Sequence, residues 1–234
     1  MSYVYHFTKK EKLKQIINEG LKTFSNYNKL GSKIREQAIY AWLLPSDDKM
    51  GYLKNERYVC LELEVDPQKC VVANMDWISS AYVNLIGAGG QPKDINTMRT
   101  LVYYYDNFCV PINKYINGLF RVPEVIINEN IEPKYIRVHN GDDRGIYNLE
   151  FKDNTQTYEK RIEEKLSNLI DVDLSSKYEK IKYLLEKDII NRVAVHDDSS
   201  GLLISYVIKN SQEYFTISLG NDKPGLLLEG VEVL

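Results

Sequence analysis

The stretch Arg57-Tyr58-Val59-Cys60-Leu61-Glu62-Leu63-Glu64-Val65 alternates with a period of two and stops at Asp66-Pro67. Such alternation belongs to a strand with one face in a core and the other toward water. A lone strand cannot satisfy its own peptide groups, so other parts of the chain must pair with it. The pattern therefore commits at least part of the chain to a sheet, and the remaining runs must supply the partners.

Several runs qualify. Tyr3-Val4-Tyr5-His6-Phe7 is aromatic and β-branched, and Ala38-Ile39-Tyr40-Ala41-Trp42-Leu43-Leu44 ends at Pro45. Val122-Pro123-Glu124-Val125-Ile126-Ile127 and Tyr135-Ile136-Arg137-Val138 flank the Glu132-Pro133 turn. Thr8-Lys9-Lys10-Glu11 has the spacing of a capping box, which predicts a helix starting at Thr8. Leu13, Ile16 and Ile17 give that helix an apolar face, Gly20 predicts its stop, and Leu21 its return to the core. Residues 22–37 are polar and read as a loop able to lie over a pocket. From Asp76, which reads as a cap, to Ile116 the pattern is mostly helical around a break at Gly87-Ala88-Gly89-Gly90.

Turn residues cluster at Asn140-Gly141-Asp142-Asp143, where the charge balance also changes. Residues 1–139 carry 18 Lys and Arg against 15 Asp and Glu, and residues 140–234 carry 12 against 18. Two domains follow, 1–140 and 141–234. In the second, Tyr158, Ile162, Leu166, Leu169 and Ile170 form one helical face, and Tyr178, Ile181, Leu184, Leu185 and Ile189 another. Strand-like runs near 192–196, 201–208, 213–219 and 226–233 complete a small α+β appendage ending in a meander.

No stretch reaches the roughly 20 apolar residues that span a bilayer, and the first residues lack a basic region followed by an apolar core. A cytoplasmic protein without a membrane partner is the expectation. Cys60, Cys70 and Cys109 form neither a C-x-x-C pair nor an even set, so reduced thiols are expected and no metal. His139 and His196 have acidic neighbours but no third ligand at metal spacing. Gly87–Gly90 lacks the strand-before, helix-after context of a dinucleotide fingerprint. Tyr103-Tyr104-Tyr105 reads either as a base-stacking platform or as a helix face and its flanks.

The order strand, Tyr5-His6-Phe7-Thr8, helix, Gly20-Leu21, a Tyr40-bearing strand, then Pro123-Glu124-Val125-Ile126-Ile127 resembles the NAD-dependent ADP-ribosyltransferase superfamily, in its His-Tyr-Glu branch. The opening is similar to that of the poly- and mono-ADP-ribosyl polymerases and of DarT-type toxins that modify DNA. The resemblance covers about residues 3–138. It implies an α+β fold with an ADP-ribosyltransferase-like split β-sheet core and flanking helices, and NAD as co-substrate. On this resemblance His6 would bond a ribose hydroxyl of the adenosine part, with Thr8 assisting, and the Phe7 backbone would hold the nicotinamide amide. Tyr52 would stack on nicotinamide, Tyr40 would wall the pocket, and Glu124 would bond the 2′-hydroxyl of the nicotinamide ribose.

Such a carboxylate stabilises the oxocarbenium-like centre left when nicotinamide departs. Val122, two residues before Glu124, argues against the branch that modifies arginine through a second acidic residue. In Pro45–Tyr52, where DarT-type enzymes keep an arginine, Lys49 is the only cation. The expected activity is toxin-like mono-ADP-ribosyl transfer to a macromolecule, with DNA or RNA slightly favoured over protein by the mildly basic front domain. Two alternatives stay open: a catalytically silent module binding a nucleotide or a protein partner through its acidic C-terminal segment, and an NAD glycohydrolase.

Overall fold

The computed structural model describes residues 2–23, 30–48, 50–86, 94–140, 157–198 and 201–219. The chain is α+β. Its contacts divide it into two compact units, one of Met1–Trp77, Val102–Ile116 and Val122–Asn154, the other of Ile78–Leu101, Asn117–Arg121 and Thr155–Leu234. Compared with a cut near residue 140, the stretches 78–101 and 117–121 group with the C-terminal unit.

In the first unit the alternating segment is β3 (Tyr58–Val65), flanked by β1 (Ser2–Lys9) and β7 (Ile136–Val138) in an antiparallel sheet of order β1-β3-β7. Register runs from Ser2↔Val65 to Lys9↔Tyr58, burying Leu61, Leu63 and Val65. A second antiparallel sheet has the order β2-β6-β4-β5, from β2 (Ile39–Ala41), β6 (Pro123–Ile127), β4 (Cys70–Asn74) and β5 (Val110–Pro111). β4 is not among the expected strands; it follows β3 through a single turn with Pro67 at its first position and Asp66 Oδ1 accepting from the Gln68 N–H. β2 is shorter than expected. Its end peels off to β1, where Tyr5 and Trp42 exchange both backbone hydrogen bonds, 2.9 and 2.7 Å.

The helix α1 (Lys10–Glu19) starts one residue later than a cap at Thr8 implies. Thr8 stays in β1 opposite Val59, and Lys9 holds the cap position without a side-chain bond. Eight paired residues outweigh one capping box, because each step along the ladder satisfies more backbone groups than a cap does. At the other end Gly20 has φ +81 and donates to Ile16 O at 2.8 Å, and Leu21 bridges Ile131. A Cβ at Gly20 would sit 2.2 Å from the Ile131 carbonyl oxygen. Gly20→Ala is therefore expected to lower stability by more than the ~1 kcal/mol of an ordinary positive-φ glycine; a urea midpoint equal to wild type would contradict the close approach.

Two further helices are α2 (Met75–Ile86) and α3 (Ile95–Asn107). Asn74, not Asp76, caps α2: its Oδ1 accepts from the Asp76 N–H at 3.1 Å. The expected glycine break at 87–90 lies outside the described residues.

In the second unit, α4 (Tyr158–Asn168) is capped by Thr157, and α5 (Lys177–Glu186) carries a Ser176/Glu179 capping box. Both lay the expected apolar faces on a meander of order β10-β9-β8, from β8 (Ile190–Asp198), β9 (Gly201–Ile208) and β10 (Glu213–Ser218). Ile162, Leu166, Ile181 and Leu184 meet Ile204, Tyr206, Phe215 and Ile217 there. Buried Ser205 is satisfied by Ser80 Oγ at 3.0 Å and Thr216 Oγ1 at 2.8 Å. The strand-like run near 226–233 lies outside the described residues. No described helix is long and apolar enough to cross a membrane.

Candidate active site

Strand β6 lies between β2 and β4, and all five of its residues are buried. Glu124 stands among them opposite Ala73, only 4% exposed. A carboxylate taken out of water needs partners. Arg35 Nη1 and Tyr105 Oη both donate to Glu124 Oε2, each at 2.5 Å, and Arg35 Nη1 also donates to Tyr105 Oη at 3.0 Å. Tyr105 is fully buried on α3, and burial first, then the Glu124 charge, raise its pKa well above the usual tyrosine value. Its hydroxyl therefore stays a donor.

Arg35 comes from irregular backbone ahead of β2. That segment is anchored on α3 through Asp106, whose carboxylate accepts from Ser32 Oγ at 2.5 Å and from the Lys33 N–H at 2.8 Å. The Arg35 guanidinium lies 4.1 Å from the Tyr40 ring centroid, and Tyr40 Oη donates to Arg35 O at 2.9 Å. Burial works against the Arg35 charge, but Glu124, Tyr105 and Tyr40 together outweigh it and raise its pKa. The cation is held as a cation.

His6 enters from β1. Its Nδ1 lies 2.7 Å from Tyr40 O, and a carbonyl only accepts, so Nδ1 carries the proton. The neutral ring then has Nε2 as an acceptor, which meets no described hydrogen-bond partner. Burial lowers the His6 pKa from 6.5, partly opposed by the bond to Tyr40. Between that lowered value and 6.5 the unfolded chain binds more protons, so stability rises with pH across this window. The contribution of neutral His6 is complete above 6.5 and is lost as pH falls toward the folded value. Urea melts at about pH 7.5 and about pH 5.5 should show this loss. It should shrink in His6→Asn, which keeps a donor for Tyr40 O; an unchanged slope would refute the assignment.

Backbone groups of alternate residues in a ladder face the same edge. Since Tyr5 bonds Trp42, Phe7 likewise points its peptide groups away from β3. Around Phe7 gather Trp42 and Val122, with Tyr52, Tyr58, Cys60 and Met75 packed against them. The Tyr52 ring lies 6.1 Å from Phe7 and 4.5 Å from Tyr58, while the face of Tyr40 is covered by Arg35.

Glu124, Tyr40 and His6 thus form one connected chain through Arg35, with Phe7 and Tyr52 grouped beside the strand that carries His6. Thr8 is buried one residue beyond Phe7. Arg35 and Tyr105 were not singled out by the sequence as partners of Glu124. Tyr105 lay inside the flagged tyrosine run, and Arg35 inside the polar stretch 22–37. Lys49 lies outside the described residues. His139 packs edge-on against Tyr5 at 5.0 Å. Cys60, Cys70 and Cys109 are free thiols, and burial pushes Cys70 up to about 12. Among the described residues no three His, Cys, Asp or Glu side chains gather as a metal site. Comparison with protein-family models, curated proteins and solved structures returns no significant match.

Proposed function

We propose that the first unit is an ADP-ribosyltransferase-like catalytic domain that transfers ADP-ribose from NAD to a macromolecule. The observation that carries this reading is the Glu124 carboxylate, buried and held by one oxygen, linked through Arg35 and Tyr40 to a neutral histidine with a spare acceptor. Two sheets that meet at Tyr5 and Trp42 support the split-sheet core the resemblance implies. Three groups suit a dinucleotide: Glu124 Oε1 for a ribose hydroxyl, His6 Nε2 for another, and the outward peptide edge of Phe7 for the amide of nicotinamide. Tyr52, with less of its ring committed to a cation than Tyr40, is the stacking residue.

In the transfer, the bond from C1′ to the pyridinium nitrogen breaks and its electron pair stays on that nitrogen, so nicotinamide leaves neutral. A lone pair of the acceptor forms the new bond to C1′, and the proton the acceptor loses passes to solvent. Glu124 stabilises the positive charge that develops on the ribose in between, in a site of low dielectric where such an interaction is strong. NAD labelled in its adenylate part, incubated with the protein and a cell extract, tests the reading. Label is expected in the nucleic-acid fraction. Label in protein alone would reassign the acceptor, free ADP-ribose alone would favour a glycohydrolase, and unaltered NAD would sink the proposal. The pairing of Arg35 with Glu124 is what favours the second reading, a binding module without turnover; calorimetric binding of NAD with no nicotinamide released would select it.

A further inference from the structure

The two donors on Glu124 converge on one oxygen. Arg35 Nη1 and Tyr105 Oη both reach Oε2, and no described residue donates to Oε1. The direction of the proton chain is fixed as well, since guanidinium has no acceptor: Arg35 donates to Tyr105, and the single tyrosine proton goes to Glu124.

The last torsion of a glutamate is broad and roughly two-fold, so a carboxylate held by one donor still swivels. Two donors from separate elements, α3 and the segment before β2, remove that freedom. They fix Oε2 and so set the direction in which the lone pairs of Oε1 point. We infer that Tyr105 is a positioning residue: with Arg35 it clamps Oε2 and presents Oε1 as the oxygen that meets the nicotinamide ribose. The inference rests on the NAD reading above. Tyr105 is the informative member of the clamp because it is neutral. Phenylalanine removes its hydroxyl while leaving the buried ring and the charge balance of the site unchanged.

The experiment is steady-state nicotinamide release by the full chain, comparing wild type with Tyr105→Phe, with circular dichroism to check the fold. KM for NAD is expected to stay within about twofold, because ground-state binding is shared with His6, Phe7 and Tyr52. The kcat is expected to fall on the order of 10- to 100-fold, the effect of losing one hydrogen bond to a charged group in the transition state. An unchanged kcat, or a loss confined to KM, overturns the inference while leaving the NAD reading intact. A wild-type protein that releases no nicotinamide overturns the NAD reading and this inference with it. Should Tyr105→Phe unfold, Arg35→Lys reads the same clamp from its other donor: it keeps the charge but lacks the planar fork that reaches both partners. A kcat loss at constant KM then supports the clamp, and full kcat refutes it.

Discussion

Glu124→Gln is expected to reduce both nicotinamide release and ADP-ribose transfer by about 10²- to 10³-fold. The amide keeps the size of the side chain and can still accept from Tyr105 through its oxygen, but it carries no charge to oppose the positive ribose. Release of nicotinamide at the wild-type rate would remove Glu124 from the chemistry. Alanine is the poorer probe. At 4% exposure and bonded to Arg35 and Tyr105, Glu124 also holds the fold together. Glu124→Ala would leave a guanidinium without its counter-charge and a buried hydroxyl without its acceptor, so lost activity in that variant would mix two causes.

The second large effect is on stability. Arg35→Ala is expected to cost roughly 3–5 kcal/mol, the usual range for removing one partner of a buried ion pair and leaving the other charge behind. Urea unfolding gives the measurement, with an unchanged slope as evidence that the native state itself is intact. The double variant Arg35→Ala/Glu124→Gln supplies the control. With no orphaned charge, it should be less destabilised than the two single changes added together, and simple additivity would show that the pair does not interact.

The sheet strands and the helix faces were legible because each rests on local periodicity. β3 buries Leu61, Leu63 and Val65, the faces of α4 and α5 lie wholly or partly buried in one cluster, and Gly20 ends α1 where a glycine with positive φ is needed. β4 was not legible. Cys70-Val71-Val72-Ala73-Asn74 is five residues long, without a polar face, and its identity as a strand depends on β6 lying beside it. Thr8 shows the reverse failure, a correct local signal overridden by pairing farther along the chain.

The site was harder. Glu62 and Glu124 both sit in apolar strands and both are buried, at 6% and 4%. Glu62 lies on the face that the alternation of β3 turns toward water and is buried all the same, so neither local pattern reports the partner its carboxylate meets. What differs is three-dimensional: Glu62 faces Arg137, 3.6 Å away on an exposed side chain, whereas Glu124 meets Arg35 and Tyr105, brought together across 89 and 19 residues. No spacing rule reports an ion pair between segments so far apart. Of the two readings of the tyrosine run, the helix face and its flanks is the one α3 displays. Tyr105 turns inward to the carboxylate, Tyr104 stacks on Phe108 at 4.8 Å, and Tyr103 is exposed.

The meeting of the two sheets at Tyr5 and Trp42 also gives the protein an optical property. Trp42 is one of two tryptophans in the chain, and its indole is buried against Phe7 and Val122, beside the residues proposed to hold nicotinamide. The other, Trp77, lies among Tyr104 and Phe108. A Trp77→Phe protein would therefore carry a single tryptophan, at the joint between the sheets, which can be excited selectively over the 18 tyrosines. Its emission would follow that joint directly, without label or acceptor, as NAD is titrated in or as the two sheets part during unfolding.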